Sequence, residues 1–315
     1  MTVSVDTILG LAQIVLVGLM LAVAGVTWLT VRTLRTPSRR TYAWATARNR
    51  PGIPSELDPP RPFTDREFDT HVGAIHAWEI PGDDPDGFVV IVCPGWGDAC
   101  VGALPRLGAL LPHARLVVPF DPPGHGDTPE RTGKTTLGIK EPAIIRDLAR
   151  TLASEHPGAR VVLFGWSMGA GASIAAATKM DGADDPCVAG VIAEAPYDLA
   201  PTPARNVVRL SGLPWRINIP LAYFVLAQRL GKGLTPARFS RRAHAARLSP
   251  DVPLLILHGS EDAISPPDDA RAIADAAPRA TLAMIDGAGH NNLWTDDRYE
   301  PVCREAVDAF ISRLS

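Results

Sequence analysis

The chain has 315 residues, 46% of them hydrophobic and 21% charged, which is close to the balance of an ordinary globular protein. A net charge of −3, with no Lys/Arg stripe interleaved with aromatics, lacks the electrostatic footprint of a nucleic-acid binder. Cys93, Cys100, Cys187 and Cys303 have neither CxxC spacing nor a dense framework, which argues against a zinc module or a disulfide scaffold and for a reducing compartment.

Residues 7–31 contain no charged side chain and are mostly apolar. As a helix they would extend roughly 37 Å, enough to cross a hydrocarbon core of about 30 Å. Residues 1–35 therefore read as a transmembrane anchor. Arg32, Arg35, Arg39 and Arg40 flank its C-terminal end, so the positive-inside rule places the N-terminus outside and the rest of the chain in the cytoplasm. The alternative is a signal peptide, cleaved near Ala22-Val23-Ala24 and leaving a secreted protein. No Lys or Arg precedes the apolar run, as a signal peptide would require. Residues 36–62 are basic and carry Pro51, Pro54, Pro59, Pro60 and Pro62. Prolines stiffen the chain and oppose regular helix, so this stretch is expected to be a juxtamembrane linker that lifts a globular domain, 63–315, off the bilayer.

Within that domain, residues 67–80 alternate loosely between polar and apolar, as a half-buried antiparallel strand or hairpin would. Six short apolar runs follow, at 88–93, 115–121, 160–165, 188–195, 253–258 and 280–286. Runs of this length, each bounded by Gly, Pro or Asp, suit strands buried on both faces of a parallel sheet. Helices are expected over 140–155, with an apolar stripe of Ile144, Ile145, Leu148 and Leu152, and over 168–180 and 298–314. The alternation implies an α/β fold with a doubly wound, mostly parallel sheet, whose ligands bind at the carboxyl ends of the strands. One gap is too long for an ordinary connection: residues 197–251 should form a helical cap, in which the apolar stretch 217–230 could roof a cleft, touch a membrane or simply pack on the domain.

Directly after the run at 160–165 stands Gly165-Trp166-Ser167-Met168-Gly169, a G-x-S-x-G pattern followed by small residues. The pattern alone is weak, but a strand before it and a helix after it are the context in which a sharp turn exposes a serine hydroxyl. A serine needs a base, and His290 lies in Gly289-His290-Asn291, in the loop after the last strand, at the same sheet edge. His258 and His125 read as structural, and the remaining histidines have no chemical company. The carboxylate that would orient the imidazole is Asp262, which follows the run at 253–258; Glu194 and Asp198 are reserves. Backbone N–H donors for a developing oxyanion are expected from Met168 and from Trp96 in Pro94-Gly95-Trp96-Gly97.

Together CPGWGD, FDPPGHGDTP, GWSMG, HGSEDAISPP and GAGH, spread over about residues 70–314, resemble the α/β-hydrolase superfamily, most closely its serine-aminopeptidase-like and monoacylglycerol-lipase-like branch. The resemblance implies the α/β-hydrolase fold with an eight-stranded sheet, a cap inserted after the sixth strand, and no cofactor. The oxyanion loop departs from the common His-Gly start, having Pro94-Gly95 instead; a backbone donor survives the change and a side-chain contribution does not. The expected activity is hydrolysis of an ester, thioester or amide through an acyl-enzyme on Ser167, on a small-molecule or lipid-like acyl substrate. The alternatives are acyl transfer by the same triad or a catalytically silent, membrane-tethered binding module. Metal-ligand spacing, a Walker loop and a dinucleotide fingerprint are absent from the sequence.

Overall fold

Apolar runs with no polar face are best satisfied inside a sheet covered on both sides, and five of the six lie there; the sixth, at 280–286, forms the edge strand, where Ala280 and Thr281 are exposed and only Ile285 is buried, because no further strand covers its outer side. The computed structural model describes residues 4–178, 188–210, 214–230 and 239–314. A hairpin of β1 (Thr64–Thr70) and β2 (Gly73–Pro81) leads into β3 (Phe88–Cys93), β4 (Ala114–Pro119), β5 (Val161–Trp166), β6 (Val188–Glu194), β7 (Leu254–Gly259) and β8 (Ala280–Ile285). The eight strands form one sheet in the order β1-β2-β4-β3-β5-β6-β7-β8. From β4 to β8 all pairings are parallel, whereas β2 runs antiparallel to both β1 and β4. This is the α/β-hydrolase fold that the motifs implied.

Alternate residues of β3 enter two separate cores. Val90 and Val92 join one with Leu107, Leu110, Val307 and Phe310, while Val89, Ile91 and Cys93 join the other with Ile144, Leu148 and Leu152. The first face is covered by two helices, α3 (Leu107–Leu110) and α10 (Glu300–Ile311). The second is covered by α4 (Glu141–Glu155), α5 (Met168–Ala177) and α9 (Pro267–Ala276). The stripe Ile144, Ile145, Leu148 and Leu152 is buried in full, as its spacing requires. Cys93, Cys100 and Cys303 are buried free thiols; burial, with the Glu194 charge adding, pushes Cys303 up to about 12. Cys187 and the last two positions of the helix expected over 168–180 lie outside the described residues.

Between β6 and β7 the described residues form α6 (Pro201–Leu210), α7 (Trp215–Leu230) and α8 (Arg241–Ala245). The N-terminal helix α1 (Val5–Arg35) is long and apolar enough to cross a membrane, and none of its most apolar window is buried against protein. Its last turns behave differently. Val31 packs with Ala222 and Leu226 of α7, and Thr30 and Asn218 exchange hydrogen bonds of 2.7 and 3.0 Å.

Residues 36–62 do not lift the domain away, contrary to the expectation from their prolines. Arg39 donates to the carbonyls of Gly126 (3.0 Å) and Thr128 (2.7 Å), and Arg40 pairs with Asp98 at 2.9 Å. A short helix α2 (Tyr42–Thr46) forms between Pro37 and Pro51 and buries Ala45 completely. Prolines limit helix length there, but an extended chain still docks through arginines that reach backbone carbonyls.

The loop that receives Arg39 is held by one buried carboxylate. Asp121 accepts from the backbone N–H groups of Cys100 (2.7 Å) and Asp127 (2.8 Å) and from His76 Nδ1 (2.8 Å). His76 Nε2 faces Asp65 at 3.1 Å, so both ring nitrogens donate and the imidazolium is the form this site favours. His76, Cys100 and Asp121 are the one group of metal-ligand type among the described residues. Their atoms are already committed to this network and to the Cys100 Sγ–Pro119 carbonyl contact at 3.3 Å. Burial alone would lower the pKa of His76, but the Asp121 hydrogen bond and charge, joined by Asp65, lift it to about 9.

A folded-state pKa raised above the unfolded value of about 6.5 gives stability that is complete below that pH and is lost as pH rises through 9. Thermal melting should therefore weaken between about pH 6.5 and 9.5, by about 3 kcal/mol at most, and His76→Gln should flatten that slope. Equal slopes for the two proteins in a pH series of melting curves would refute the assignment.

Candidate active site

Strand β5 ends in a turn that ordinary residues resist. Ser167 sits at φ 54°, ψ −112°, in the positive-φ half of backbone space that costs a non-glycine residue on the order of 1–3 kcal/mol. The turn closes only because the residues on either side lack side chains. A Cβ on Gly165 would stand 2.3 Å from the Gly169 carbonyl oxygen, and one on Gly169 would stand 2.0 Å from that of Cys93. Helix α5 starts at Met168, and its ten residues, mostly Gly and Ala, are all buried, so it lies close against the sheet. The turn is fixed from below by the Ser167 N–H bond to the Glu194 carbonyl at 2.8 Å. The side chain of Ser167 is left facing outward at the carboxyl edge.

Asp262 and His290 reach the same point from the loops after β7 and β8. Asp262 is 3% exposed; its Oδ1 accepts from the N–H groups of Ile264 and Ser265, both at 2.8 Å, and its Oδ2 lies 2.7 Å from His290 Nδ1. A carboxylate so held can only accept, so the His290 proton resides on Nδ1 and Nε2 is left as the acceptor. That acceptor lies 3.1 Å from Ser167 Oγ. Serine, histidine and aspartate thus form one hydrogen-bonded chain.

The other candidates are occupied elsewhere. Glu194 takes a bidentate pair from Arg106 (2.7 and 2.5 Å) and a third bond from Trp294 Nε1 (2.8 Å). Asp198 caps the start of α8 through Ser240 and the Arg242 N–H. Glu261, beside Asp262, is exposed. Desolvation lowers the pKa of His258, so this ring is neutral and donates from Nε2 to the Ser265 carbonyl at 2.9 Å. It thereby steadies the loop that carries Asp262. His125 bonds the Pro123 carbonyl, and His71 and His113 face Asp147 and Asp308.

A cavity of about 460 Å³ opens over Ser167 and His290. Trp96 and Met168 both line it, and the N–H groups of neither make a hydrogen bond to the described residues. Apolar wall comes from Leu137, from Val207 and Val208 of α6, and from the last turns of α1, where Leu29, Thr30, Thr33 and Leu34 face it, while Arg40, Asp98, Asn218 and Asn291 add polar groups. The contribution of α1 does not follow from the motifs. Its trace in the sequence is the polar interruption by Thr30 and Thr33, three residues apart on one helical face. The Trp96 indole donates to the Leu34 carbonyl at 2.8 Å, so the loop carrying one expected donor is tied directly to α1.

The profile of the alpha/beta hydrolase family matches residues 89–305. Among solved structures, the chain is similar to the Pyrococcus furiosus esterase Pf2001, with 20% identity, 89% of this chain and 98% of that one covered, and a TM-score of 0.65. It is also similar to a thermostable carboxyl esterase from Bacillus coagulans, with 15% identity, 80% and 98% coverage and a TM-score of 0.59. For the Rhodococcus sp. ECU1013 esterase RhEst1 the figures are 20% identity, 80% and 99% coverage, and a TM-score of 0.53. No curated protein matches the chain. At these identities the solved structures attest to the fold, and the family profile carries the assignment: the chain belongs to the alpha/beta hydrolase family and is an α/β-fold hydrolase.

Proposed function

We propose that the protein is a membrane-tethered serine hydrolase that cleaves an ester, thioester or amide of a hydrophobic acyl group. The hydrogen-bonded chain Ser167–His290–Asp262 at the floor of the cavity carries this reading. Ser167 Oγ attacks the substrate carbonyl carbon while its proton passes to His290 Nε2. Asp262, held by two N–H groups, stabilises the resulting imidazolium without taking its proton. The carbonyl oxygen becomes an oxyanion, for which the Met168 and Trp96 N–H groups are the donors. His290 then gives its proton to the leaving oxygen, sulfur or nitrogen as the bond to carbon breaks. Water, deprotonated by the same nitrogen, adds to the acyl carbon; as the bond from that carbon to Ser167 Oγ breaks, His290 returns the proton to Oγ, releasing the acid and free Ser167.

The walls support the substrate class. Leu29, Leu34, Leu137, Val207 and Val208 form an apolar side suited to an acyl chain, whereas Arg40, Asp98, Asn218 and Asn291 leave polar partners for a head or leaving group. With α1 spanning the bilayer and its arginines on the cytoplasmic side, the cavity would sit at the membrane face, where an amphiphilic acyl substrate is concentrated.

Four outcomes test this. Ser167→Ala and Asp262→Asn should each lower kcat by on the order of a thousandfold or more, and a fluorophosphonate probe should label the wild type but not Ser167→Ala. Equal labelling of both proteins would end the reading. Relief of the strained backbone should make inactive Ser167→Gly more stable than the wild type by about 1 kcal/mol in denaturant titrations. Among p-nitrophenyl esters, kcat/KM should rise with acyl length, and best turnover of the acetyl ester would remove the hydrophobic substrate. Leu34→Trp should cut kcat/KM for long esters on the order of tenfold while sparing the acetyl ester; a uniform loss would deny α1 its place in the acyl pocket.

A further inference from the structure

Helix α1 presents two faces to the domain. Leu29, Thr30, Thr33 and Leu34 face the catalytic cavity, whereas Trp28, Val31, Arg32 and Arg35, at the i, i+3, i+4 and i+7 spacing of one helical side, face away from it. On that second side lies an apolar groove of about 540 Å³ between α1 and α7, bounded by Met20, Val23, Leu221 and Phe224. It runs into a smaller cavity of about 280 Å³ lined by Arg32, Arg35, Lys134 and Arg229, and the two share Trp28, Val31 and Arg229. A greasy channel thus ends in four cations.

Among the described residues none of the four has a carboxylate within ion-pair distance, and no acidic side chain lines either cavity. Arg35 Nε is buried with no hydrogen-bond partner, which is costly unless an acceptor comes from outside the chain. Arg32 lies over the Trp28 ring, 5.4 Å from its centroid, which fixes one guanidinium at the rim. From Val5 to Trp28 the helix rises roughly 35 Å, enough to cross a hydrocarbon core of about 30 Å. Arg32 and Arg35 therefore fall at headgroup depth, with the groove beneath them at acyl depth.

We propose that this face binds an anionic diacyl phospholipid, its phosphate among Arg32, Arg35, Lys134 and Arg229 and an acyl chain in the groove between α1 and α7. The charge and its place at the end of an apolar channel select this occupant. An acidic peptide would satisfy the cations but leave Phe224, 65% exposed, and Leu221 uncovered. A zwitterionic lipid would fill the groove but bring its own ammonium against four positive charges. The bound lipid would brace the cap against α1, on the side of the helix opposite to that which shapes the catalytic cavity. The proposal rests on α1 spanning the membrane, and not on the triad.

The full-length chain, purified in detergent, can be titrated with phosphatidylglycerol and phosphatidylcholine and read by native mass spectrometry. Phosphatidylglycerol should be retained on the order of tenfold more strongly, and Arg35→Gln/Lys134→Gln/Arg229→Gln should remove that preference while turning over p-nitrophenyl acetate as the wild type does. Excess inorganic phosphate or polyglutamate should leave the lipid bound. Equal retention of the two lipids by the wild type would overturn the site whatever the variant does, as would a correctly folded variant that keeps the preference. Displacement by phosphate would reduce it to an anion site, and displacement by polyglutamate would make it a protein-docking face; either defeats the lipid assignment. Release of the wild type from native membranes by carbonate would instead remove the anchor on which the proposal stands.

Discussion

Everything at the candidate site depends on how closely the backbone of one turn approaches its neighbours. Gly169 stands where any Cβ would collide with the Cys93 carbonyl, so β3, β5 and α5 meet with no side chain between them. That contact forces Ser167 to positive φ, and the strain is retained because the buried strands and the all-buried α5 leave the chain no alternative path. The result is a hydroxyl held rigidly at the carboxyl edge of a parallel sheet. The loops after β7 and β8 bring an aspartate and a histidine to the same edge because the strands that precede them are neighbours, in register from Leu254–Ala280 to Gly259–Ile285.

The second layer of support is electrostatic, and it is local. Asp262 is buried, yet two backbone N–H groups and an imidazole satisfy it, so its charge costs little. Glu194 is equally buried and equally satisfied, by Arg106 and Trp294. The two carboxylates differ only in what completes them. A guanidinium neutralises Glu194 permanently, and Arg106 also covers the Trp166 ring at 4.1 Å, so this pair braces the floor beneath the serine. Asp262 is completed by a group that can gain and lose a proton.

The strands and the site were largely legible in the residues because both depend on local pattern. The run FVVIVC at β3 is apolar at every position, and only a two-sided core accommodates that. Ser167 follows such a run directly, and Asp262 and His290 lie in the loops that follow β7 and β8, so their meeting at one edge is a consequence of parallel pairing. What escaped was whatever depends on a distant partner. Residues 36–62 look like a spacer by composition, yet Arg39 reaches carbonyls nearly ninety positions away. A long side chain bonding to backbone oxygens leaves no periodicity to read. The Thr30–Asn218 bond, across 188 positions, joins two segments that the family profile does not treat alike, since its match begins at residue 89 and leaves α1 outside.

This division has a mechanical consequence. A generic anchor would be joined to its enzyme by a loose tether, and its loss would change location without changing the pocket. Here the last turns of α1 are bonded to α7 through Thr30, to the Trp96 loop through the Leu34 carbonyl, and to the cap core through Val31. The helix proposed to set position in a bilayer is therefore also a wall of the cavity and a support for an expected oxyanion donor. Any tilt of α1 relative to the domain must be absorbed either by those contacts or by the cap itself. Because Trp96 is 38% exposed and hangs on a single hydrogen bond to that helix, its loop is the point at which such a movement would first reach the chemistry.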